Sequence, residues 1–593
     1  MDINTKLVRL RAEMKAAKID AVIIPSSDPH QSEYVAAHWS SREWISGFTG
    51  SAGTVVITSD YAGLWTDSRY FIQAEEELSS SDFVLHKVAN YNPDFIPFLF
   101  NRLKDGSTVA CDGNIFSHSE ILSIERTFAD KNIKMVCEQD LIGKIWLDRP
   151  AIPENKVMIH PDEYAGKTVA EKLGQIRNGI DQANCDHYLL TALDDIAWTF
   201  NLRGNDIECN PVFIAYAVIS MDKAILFLEA SKLTDKVKQK LSSDKIEVLP
   251  YGEVAGFLKN INSSDQIYLT AAGVNYTLYN SIECKIVDGK DLVAAYKTIK
   301  NPVEIKHYHN AMEKDAVALT KLYRWLDTEL DQREVSEFEV SEKLAGFRSQ
   351  QEDYFGESFH AIVGYAANGA IVHYRPEETG SAMIRKKGIL LLDSGGQYMD
   401  GTTDITRTSA LGEPSAEQKR NFTLVLKGNI AVDSLEFPAG TNGYQLDTFA
   451  RQFMWKDGLN YMHGTGHGVG FFLNVHEGPQ GISFVLSERS KTPLEPGMVT
   501  SNEPGYYKQG EYGIRIENLI VTKEVRETEF GRFLGHETLT LFPIDQQLID
   551  RDLMENSELK WINEYHQMVY DRVAPRLDEE EGKWLKEKCK PIL

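Results

Sequence analysis

The chain has 593 residues, too many for one hydrophobic core, and with 42% hydrophobic and 25% charged residues it has the make-up of several folded domains, not of a disordered chain. A formal net charge of -24 at pH 7 disfavours nucleic acid or an anionic membrane as a partner, because either polyanion would be repelled. Nowhere do roughly 18 or more apolar residues run together, so no membrane-spanning helix is expected.

At the N-terminus Ile3, Leu7, Leu10 and Met14 recur at helical spacing among charged residues. That pattern predicts a surface helix, and the absence of an apolar h-region argues against a secretory signal. Ala21-Val22-Ile23-Ile24 reads as a buried strand closed by Pro25. Thr54-Val55-Val56-Ile57-Thr58 and Gly63-Leu64-Trp65 flank Ser59-Asp60 as a hairpin, followed by a helical stretch at Tyr70-Phe71-Ile72-Gln73-Ala74. The cadence returns in Ala215-Tyr216-Ala217-Val218-Ile219-Ser220, Met221-Asp222 and Ala224-Ile225-Leu226-Phe227-Leu228, ahead of a Lys-rich helical run. Two α/β domains of one type are therefore expected. Their boundary falls at Pro150-Ala151-Ile152-Pro153, where two prolines interrupt any helix, and a second lies near Lys300-Asn301-Pro302. These breaks predict domains at 1–152, 153–300 and 301–593. A long charged helix should follow the second break, then short apolar strands from Gly388, then a helical tail from Arg551. The six cysteines are scattered with no Cys-x-x-Cys pair, which reads as free thiols in a reducing compartment and a cytoplasmic location.

The chemistry concentrates in the last third. Ile389-Leu390-Leu391-Leu392 has the texture of a strand covered on both faces, and Asp393 ends it. Gly395-Gly396 and Asp400-Gly401 are turn signals that allow the chain to fold back and bring Asp404 beside Asp393. A single strand-end Asp is usually a cap; a pair across a hairpin is less easily dismissed. In His463-Gly464-Thr465-Gly466-His467-Gly468-Val469-Gly470 the phosphate-loop lysine is missing, and the glycines instead clear space around His467 for tight backbone packing. His476 follows nine residues on. Glu503 lies in Asn502-Glu503-Pro504-Gly505-Tyr506-Tyr507, and Glu517 in Gly513-Ile514-Arg515-Ile516-Glu517-Asn518, where strand alternation puts Arg515 and Glu517 on one polar wall. Each motif alone has an ordinary structural reading. Together, four carboxylates meeting at one point would raise one another's pKa and could not all ionise unaided. Two divalent cations make such a cluster tenable. Oxygen-rich ligation with one imidazole and no thiolate suits Mn, with Co or Zn as further possible occupants. Two metals roughly 3.5–4 Å apart share a water, lower its pKa and polarise a carbonyl, which is a route to peptide-bond hydrolysis.

The order Asp393, Asp404, His467, Glu503, Glu517 resembles the ligand set of the pita-bread metallopeptidases, which include methionine aminopeptidase, prolidase and aminopeptidase P. Similarity to the large, three-domain cytosolic Xaa-Pro aminopeptidases runs along the whole chain. It includes Trp65-Thr66-Asp67-Ser68-Arg69-Tyr70-Phe71, Ile145-Trp146-Leu147-Asp148-Arg149-Pro150, Leu193-Asp194-Asp195-Ile196-Ala197-Trp198 and Asn368-Gly369-Ala370-Ile371-Val372-His373-Tyr374. The resemblance implies two creatinase-like N-terminal α/β domains without metal ligands, which narrow access to the site, and a C-terminal α+β pita-bread domain with a helical extension. It implies that Asp393 holds one metal, that His467 and Glu503 hold the other, and that Asp404 and Glu517 bridge them. Glu503 would accept a proton from the bridging water, while His476 or His373 steadies the scissile carbonyl. His463, Tyr507 and Arg515 match pocket residues, and His360 is left as structural.

The substrates so implied are peptides with proline in second position, from which the first residue is released, and the assembly implied is a homodimer formed through the catalytic domain. The preference has a chemical logic: an amide to proline has no N–H and a fixed φ, so a dedicated ring pocket must replace the usual backbone grip. The rival enzyme reading is a prolidase, which cuts Xaa-Pro dipeptides. A non-catalytic pita-bread binding protein is the rival of another class, and it is disfavoured because all five ligand residues are present.

Overall fold

The computed structural model describes residues 1–88 and 94–592 and divides into two units, Met1–His160 with Lys167–Val293, and Pro161–Gly166 with Ala294–Leu593.

The first unit holds two six-stranded sheets. In the first, β1 (Ala21–Pro25), β2 (Thr54–Thr58), β3 (Ala62–Thr66), β4 (Val84–Lys87), β5 (Thr108–Ala110) and β6 (Lys134–Val136) lie in the order β4-β3-β2-β1-β5-β6. The second comprises β7 (His187–Leu190), β8 (Tyr216–Ser220), β9 (Ala224–Phe227), β10 (Glu247–Leu249), β11 (Gln266–Leu269) and β12 (Lys285–Asp288), in the order β10-β9-β8-β7-β11-β12. Shifting the second series by six strands superimposes the two orders. Pairing directions match as well: β1–β2 and β2–β3 are antiparallel, β1–β5 and β5–β6 parallel, as are their counterparts. The strand-turn-strand-helix cadence in the sequence thus marks a repeated architecture. Helix α1 (Ile3–Ala17) starts on Asp2, whose side chain accepts from the Thr5 N–H, and buries Leu7, Leu10 and Met14 in the first core. All six cysteines are free thiols. Among the described residues no helix is long and apolar enough to cross a membrane.

The second unit opens on the long helix α2 (Pro302–Glu329). Asn301 caps it, Pro302 sits in the first turn where no N–H is needed, and Glu304 closes a capping box, so the boundary motif is a helix start. Strands β13 (Ile389–Ser394) and β14 (Ile405–Ala410) pair antiparallel, flanked by Ile362–Tyr365 in a three-stranded sheet. Helices α3 (Ala416–Asp433) and α4 (Gly443–Lys456) follow. The largest sheet runs Phe437–Pro438, Gly531–Thr538, β18 (Asn518–Thr528), β16 (Val499–Asn502), β15 (Gly466–Gly468), Glu477–Ile482, and β17 (Tyr512–Arg515) pairs separately with Gly505–Lys508. The residues 513–517, expected as one alternating strand, are instead split between two ladders. The Ile516 N–H bonds to the Pro504 carbonyl and the Glu517 N–H to that of Thr406, so the backbone leaves one sheet and enters another at Glu517. Alternation survives the break, with Ile514 and Ile516 in the core and Arg515 and Glu517 facing the polar side. The tail forms α5 (Asn556–Val573) and a last helix, Glu579–Lys588, which bury Ile562, Tyr565, Val569 and Leu585 in the same core as β18.

One buried carboxyl in this unit gives a pH signature. Asp433, near the end of α3, accepts from Thr538 Oγ1 at 2.7 Å and from Trp561 Nε1 at 2.8 Å, and burial raises its pKa from 3.8 to about 6. Native Asp433 therefore holds its proton more tightly than the unfolded chain does. Stability falls as pH rises from 3.8 to about 6 and stays lower above that range. An asparagine at this position could accept from the Trp561 indole and donate to the Thr538 hydroxyl, satisfying both partners without a charge. Asp433→Asn is expected to stabilise the second unit at pH 7.5 by on the order of 2 kcal/mol and to have little effect at pH 4, read by denaturant unfolding.

Candidate metal centre

The β13–β14 ladder pairs Asp393 with Thr406 and Ser394 with Ile405, so Asp404 emerges one step beyond the last pair, next to the end of β13. Close approach at this turn requires a glycine: a Cβ at Gly395 would lie 1.9 Å from the Thr403 carbonyl oxygen. The same holds on β15, where a Cβ at Gly466 would lie 1.9 Å from the Ser501 carbonyl oxygen. That clearance seats His467 beside β16, its N–H bonded to Ser501 Oγ at 2.9 Å. Ser501 Oγ also donates to Glu503 Oε1 at 3.3 Å.

These elements bring ligand atoms of Asp404, His467 and Glu517 within 4.8 Å of one another, all three residues buried. His467 Nε2 lies 3.4 Å from Asp404 Oδ2 and 3.8 Å from Glu503 Oε1. Because His467 Nδ1 faces the Gly468 carbonyl at 3.0 Å, the ring proton sits on Nδ1 and the Nε2 lone pair points to the carboxylates. Asp393 joins through Arg515, whose Nε and Nη2 both bond its Oδ2, while Asp393 Oδ1 is buried with no partner among the described residues. Thr406 Oγ1 donates to Glu517 Oε2 at 2.8 Å.

The electrostatics are those of a cluster short of cations. Burial first, then the neighbouring Asp393 carboxylate, pushes Asp404 well above the usual range. Glu517 is raised likewise by burial and then by Asp404, Asp393 and Glu503. Glu503 is raised by burial, with His467 and Arg515 opposing. An oxygen-rich donor set, one lone-pair imidazole and an orphaned buried carboxylate oxygen fit hard or borderline divalent ions.

A polar wall flanks the cluster. Arg515 donates through Nη1 to Tyr507 OH at 2.7 Å and through Nη2 to the Val372 carbonyl at 3.3 Å, next to His373. Tyr507 OH lies 2.8 Å from His463 Nε2, and His463 Nδ1 faces the Gly464 carbonyl at 2.7 Å. A carbonyl only accepts, so His463 carries its proton on Nδ1 and accepts from Tyr507 at Nε2. Burial raises the Tyr507 phenol to about 12, keeping it neutral and a donor. The His476 ring lies 4.3 Å from that of His467, edge to face. Nine of the ten residues singled out in the sequence lie in this one neighbourhood, and the tenth, His373, follows Val372, whose carbonyl Arg515 reaches.

Several supporting residues carried no motif of their own. Thr406 is detectable in hindsight as the same-face neighbour of Asp404, two residues along β14. Arg407, buried, donates to the carbonyls of Glu517 at 2.6 Å and Phe542 at 2.7 Å, and to Tyr565 OH at 2.8 Å on α5. Arg451 on α4 bonds the carbonyls of Tyr461 at 2.5 Å and His463 at 2.7 Å, and Asp447 accepts from Thr465 Oγ1 at 2.6 Å, which together fix the histidine loop. Nothing local in the sequence marks these partners, which lie up to 158 residues apart.

Comparison with known proteins agrees with this geometry. Residues 306–524 match the model of metallopeptidase family M24, and residues 532–592 match the C-terminal region of peptidase M24. Residues 6–140 and 148–304 each match a creatinase/prolidase N-terminal domain. A protein from Paracoccidioides brasiliensis (strain Pb03) named "Probable Xaa-Pro aminopeptidase P" is 40% identical over the full length of both chains. The crystal structure of an X-prolyl aminopeptidase from Caenorhabditis elegans, described as a cytosolic enzyme with a di-nuclear active site, is 34% identical with a TM-score of 0.95, covering 100% of both chains. An Xaa-Pro dipeptidase from Bacillus anthracis is 27% identical with a TM-score of 0.52 and covers 64% of this chain and 99% of its own. With full-length identity of this order and family models on both halves, the chain belongs to metallopeptidase family M24, alongside the Xaa-Pro aminopeptidases.

Proposed function

We propose that this protein is a dinuclear-metal aminopeptidase that hydrolyses the bond before a proline in second position and releases the N-terminal residue of a peptide. The observation that carries the reading is the convergence of Asp404, His467 and Glu517 within 4.8 Å, with Glu503 and Asp393 at its edges. Full-length similarity to Xaa-Pro aminopeptidases supports the substrate class, whereas the dipeptidase match covers 64% of the chain.

Asp393, Asp404, His467, Glu503 and Glu517 would hold two divalent ions, for which the oxygen-rich set favours Mn. When bound, the ions supply a Lewis acid for the scissile carbonyl and an acidified water. Glu503 is the proton acceptor: its side chain is 19% exposed against 5% for Asp404, so attacking water reaches it. His476 or His373 hydrogen-bonds the carbonyl oxygen as charge develops there. Tyr507, held neutral between Arg515 and His463, orients the His463 ring as part of the proline pocket.

The division into 1–152, 153–300 and 301–593 confines this chemistry to the last segment. The cytosolic description of the nematode enzyme supports a cytoplasmic location. A homodimer through the catalytic domain is supported by exposed Trp455 and Met462, 48% and 52% accessible, which share Asn460 as a hydrogen-bond partner. The test is mass spectrometry of Xaa-Pro-Xaa tripeptide and Xaa-Pro dipeptide digests with Mn and with chelator. Release of the first residue from the tripeptide, abolished by chelation, is expected. Turnover of the dipeptide alone would move the assignment to prolidase.

A further inference from the structure

Glu503 and Glu517 approach the cluster from different strands, and each is preceded by a backbone carbonyl that points away from it. Both carbonyls converge on one side chain. Asn429, in the last third of α3 and 0% exposed, donates through Nδ2 to the Asn502 carbonyl at 2.8 Å and to the Ile516 carbonyl at 3.2 Å. Asn502 and Ile516 immediately precede the two glutamates. The contact is returned, since Asn502 Nδ2 donates to the Asn429 main-chain carbonyl at 2.8 Å.

Two carbonyls can face only the NH2 end of an amide, so the Asn429 orientation is fixed by its partners. Both amide protons are used, one for each strand. Asn429 Oδ1 is left buried with no hydrogen-bond partner among the described residues. A buried amide with an unsatisfied oxygen is costly, and an apolar residue would avoid that cost at an ordinary helix–strand contact. The two donors therefore have a use that packing does not supply.

We propose that Asn429 is a positioning residue that sets the spacing between Glu503 and Glu517, tying both ligand strands to one rigid helix. It touches neither substrate nor ion. Its effect passes through the two peptide groups whose carbonyls it holds, because fixing those peptide planes constrains the φ of Glu503 and of Glu517 and so the direction in which their side chains leave the backbone. Ligand sets of this kind lose roughly 10- to 100-fold in metal affinity when an orienting partner is removed.

The inference rests on the ligand assignment made above, and the experiment separates the two. Mn(II) binding to the full chain is titrated calorimetrically and by electron paramagnetic resonance for the parent, Asn429→Ala, Asn429→Ser, Glu517→Ala and Asn421→Ala. Asn421 is a buried asparagine on the same helix whose amide donates to Tyr512 OH at 2.9 Å and not to the carbonyls that precede the glutamates, so it controls for lost stability. Asn429→Ala is expected to weaken Mn(II) binding by about tenfold or more and to broaden the coupled-ion resonance signal, with Asn429→Ser, which keeps one donor, intermediate. Asn421→Ala should lower the melting temperature with affinity unchanged. Affinity and signal within twofold of the parent in either folded Asn429 variant would overturn the proposal, even if melting temperature falls. If Asn429→Ala does not fold, Asn429→Ser decides alone. A parent that binds no Mn(II), or a Glu517→Ala variant that binds it normally, instead overturns the ligand assignment.

Discussion

Replacing Asp404 or Glu517 by alanine should lower kcat/KM for an Xaa-Pro-Xaa tripeptide by more than about a thousandfold, equivalent to about 4 kcal/mol of lost transition-state stabilisation. The size follows from their position at the centre of the trio, where each faces His467 or another carboxylate and neither is replaceable by solvent. A second, opposite effect distinguishes this from simple misfolding. Burial, and after it the opposition of neighbouring carboxylates, pushes Asp404 and Glu517 well above their usual range. Asp404→Asn removes one of these charges while keeping the shape. Its metal-free form should therefore melt no lower than the metal-free parent, and its gain in melting temperature on adding Mn should shrink sharply. Parent-like activity in Asp404→Ala, or equal stabilisation by Mn in Asp404→Asn and parent, would exclude this cluster as the metal centre.

The second large effect belongs to Arg515. Its side chain is 2% exposed and is shared between Asp393, Tyr507 and the Val372 carbonyl, so it is a permanent cation among the carboxylates. Arg515→Met leaves Asp393 buried without its counter-charge, a change of the kind that costs about 3–5 kcal/mol. Divalent ions would supply the missing positive charge, so the penalty should be largest in chelator and at least halved in Mn. Differential scanning calorimetry of the catalytic transition in both conditions reads the difference. Activity should also fall by about a hundredfold or more, because Tyr507 loses the donor that orients it toward His463. An equal loss of stability with and without Mn would show that Arg515 acts by packing alone.

Much of this was legible in the sequence, for a physical reason. Strand ends, turns and glycine clearances are local, and Asp393, Asp404, His467, Glu503 and Glu517 each sit in such a motif. The apolar run before Asp393 and the glycines around His467 therefore predicted where side chains emerge. The repeated domain was visible as a cadence, but the order of its strands was not, since which strand neighbours which is decided by distant pairing. The break between β17 and β18 was also hidden. An alternating Ile-Arg-Ile-Glu run looks the same whether its backbone bonds to one ladder or to two. Least legible were Asn429, Arg407 and Arg451, whose importance lies in which carbonyls they reach. Those carbonyls belong to residues of any type, so no side-chain pattern records them.

The bond between Arg407 and Tyr565 ties the backbone around the last glutamate to a helix near the far end of the chain. Asp393 and Asp404 leave the ribosome long before α5 exists, and Arg407 has to wait for the Tyr565 hydroxyl before its grip on the Glu517 carbonyl is complete. A nascent chain that has made every ligand residue but not this helix still lacks part of the frame around its last glutamate. Loss of the tail helix would take from Arg407 the Tyr565 hydroxyl it bonds, and with it part of the frame that holds the Glu517 carbonyl.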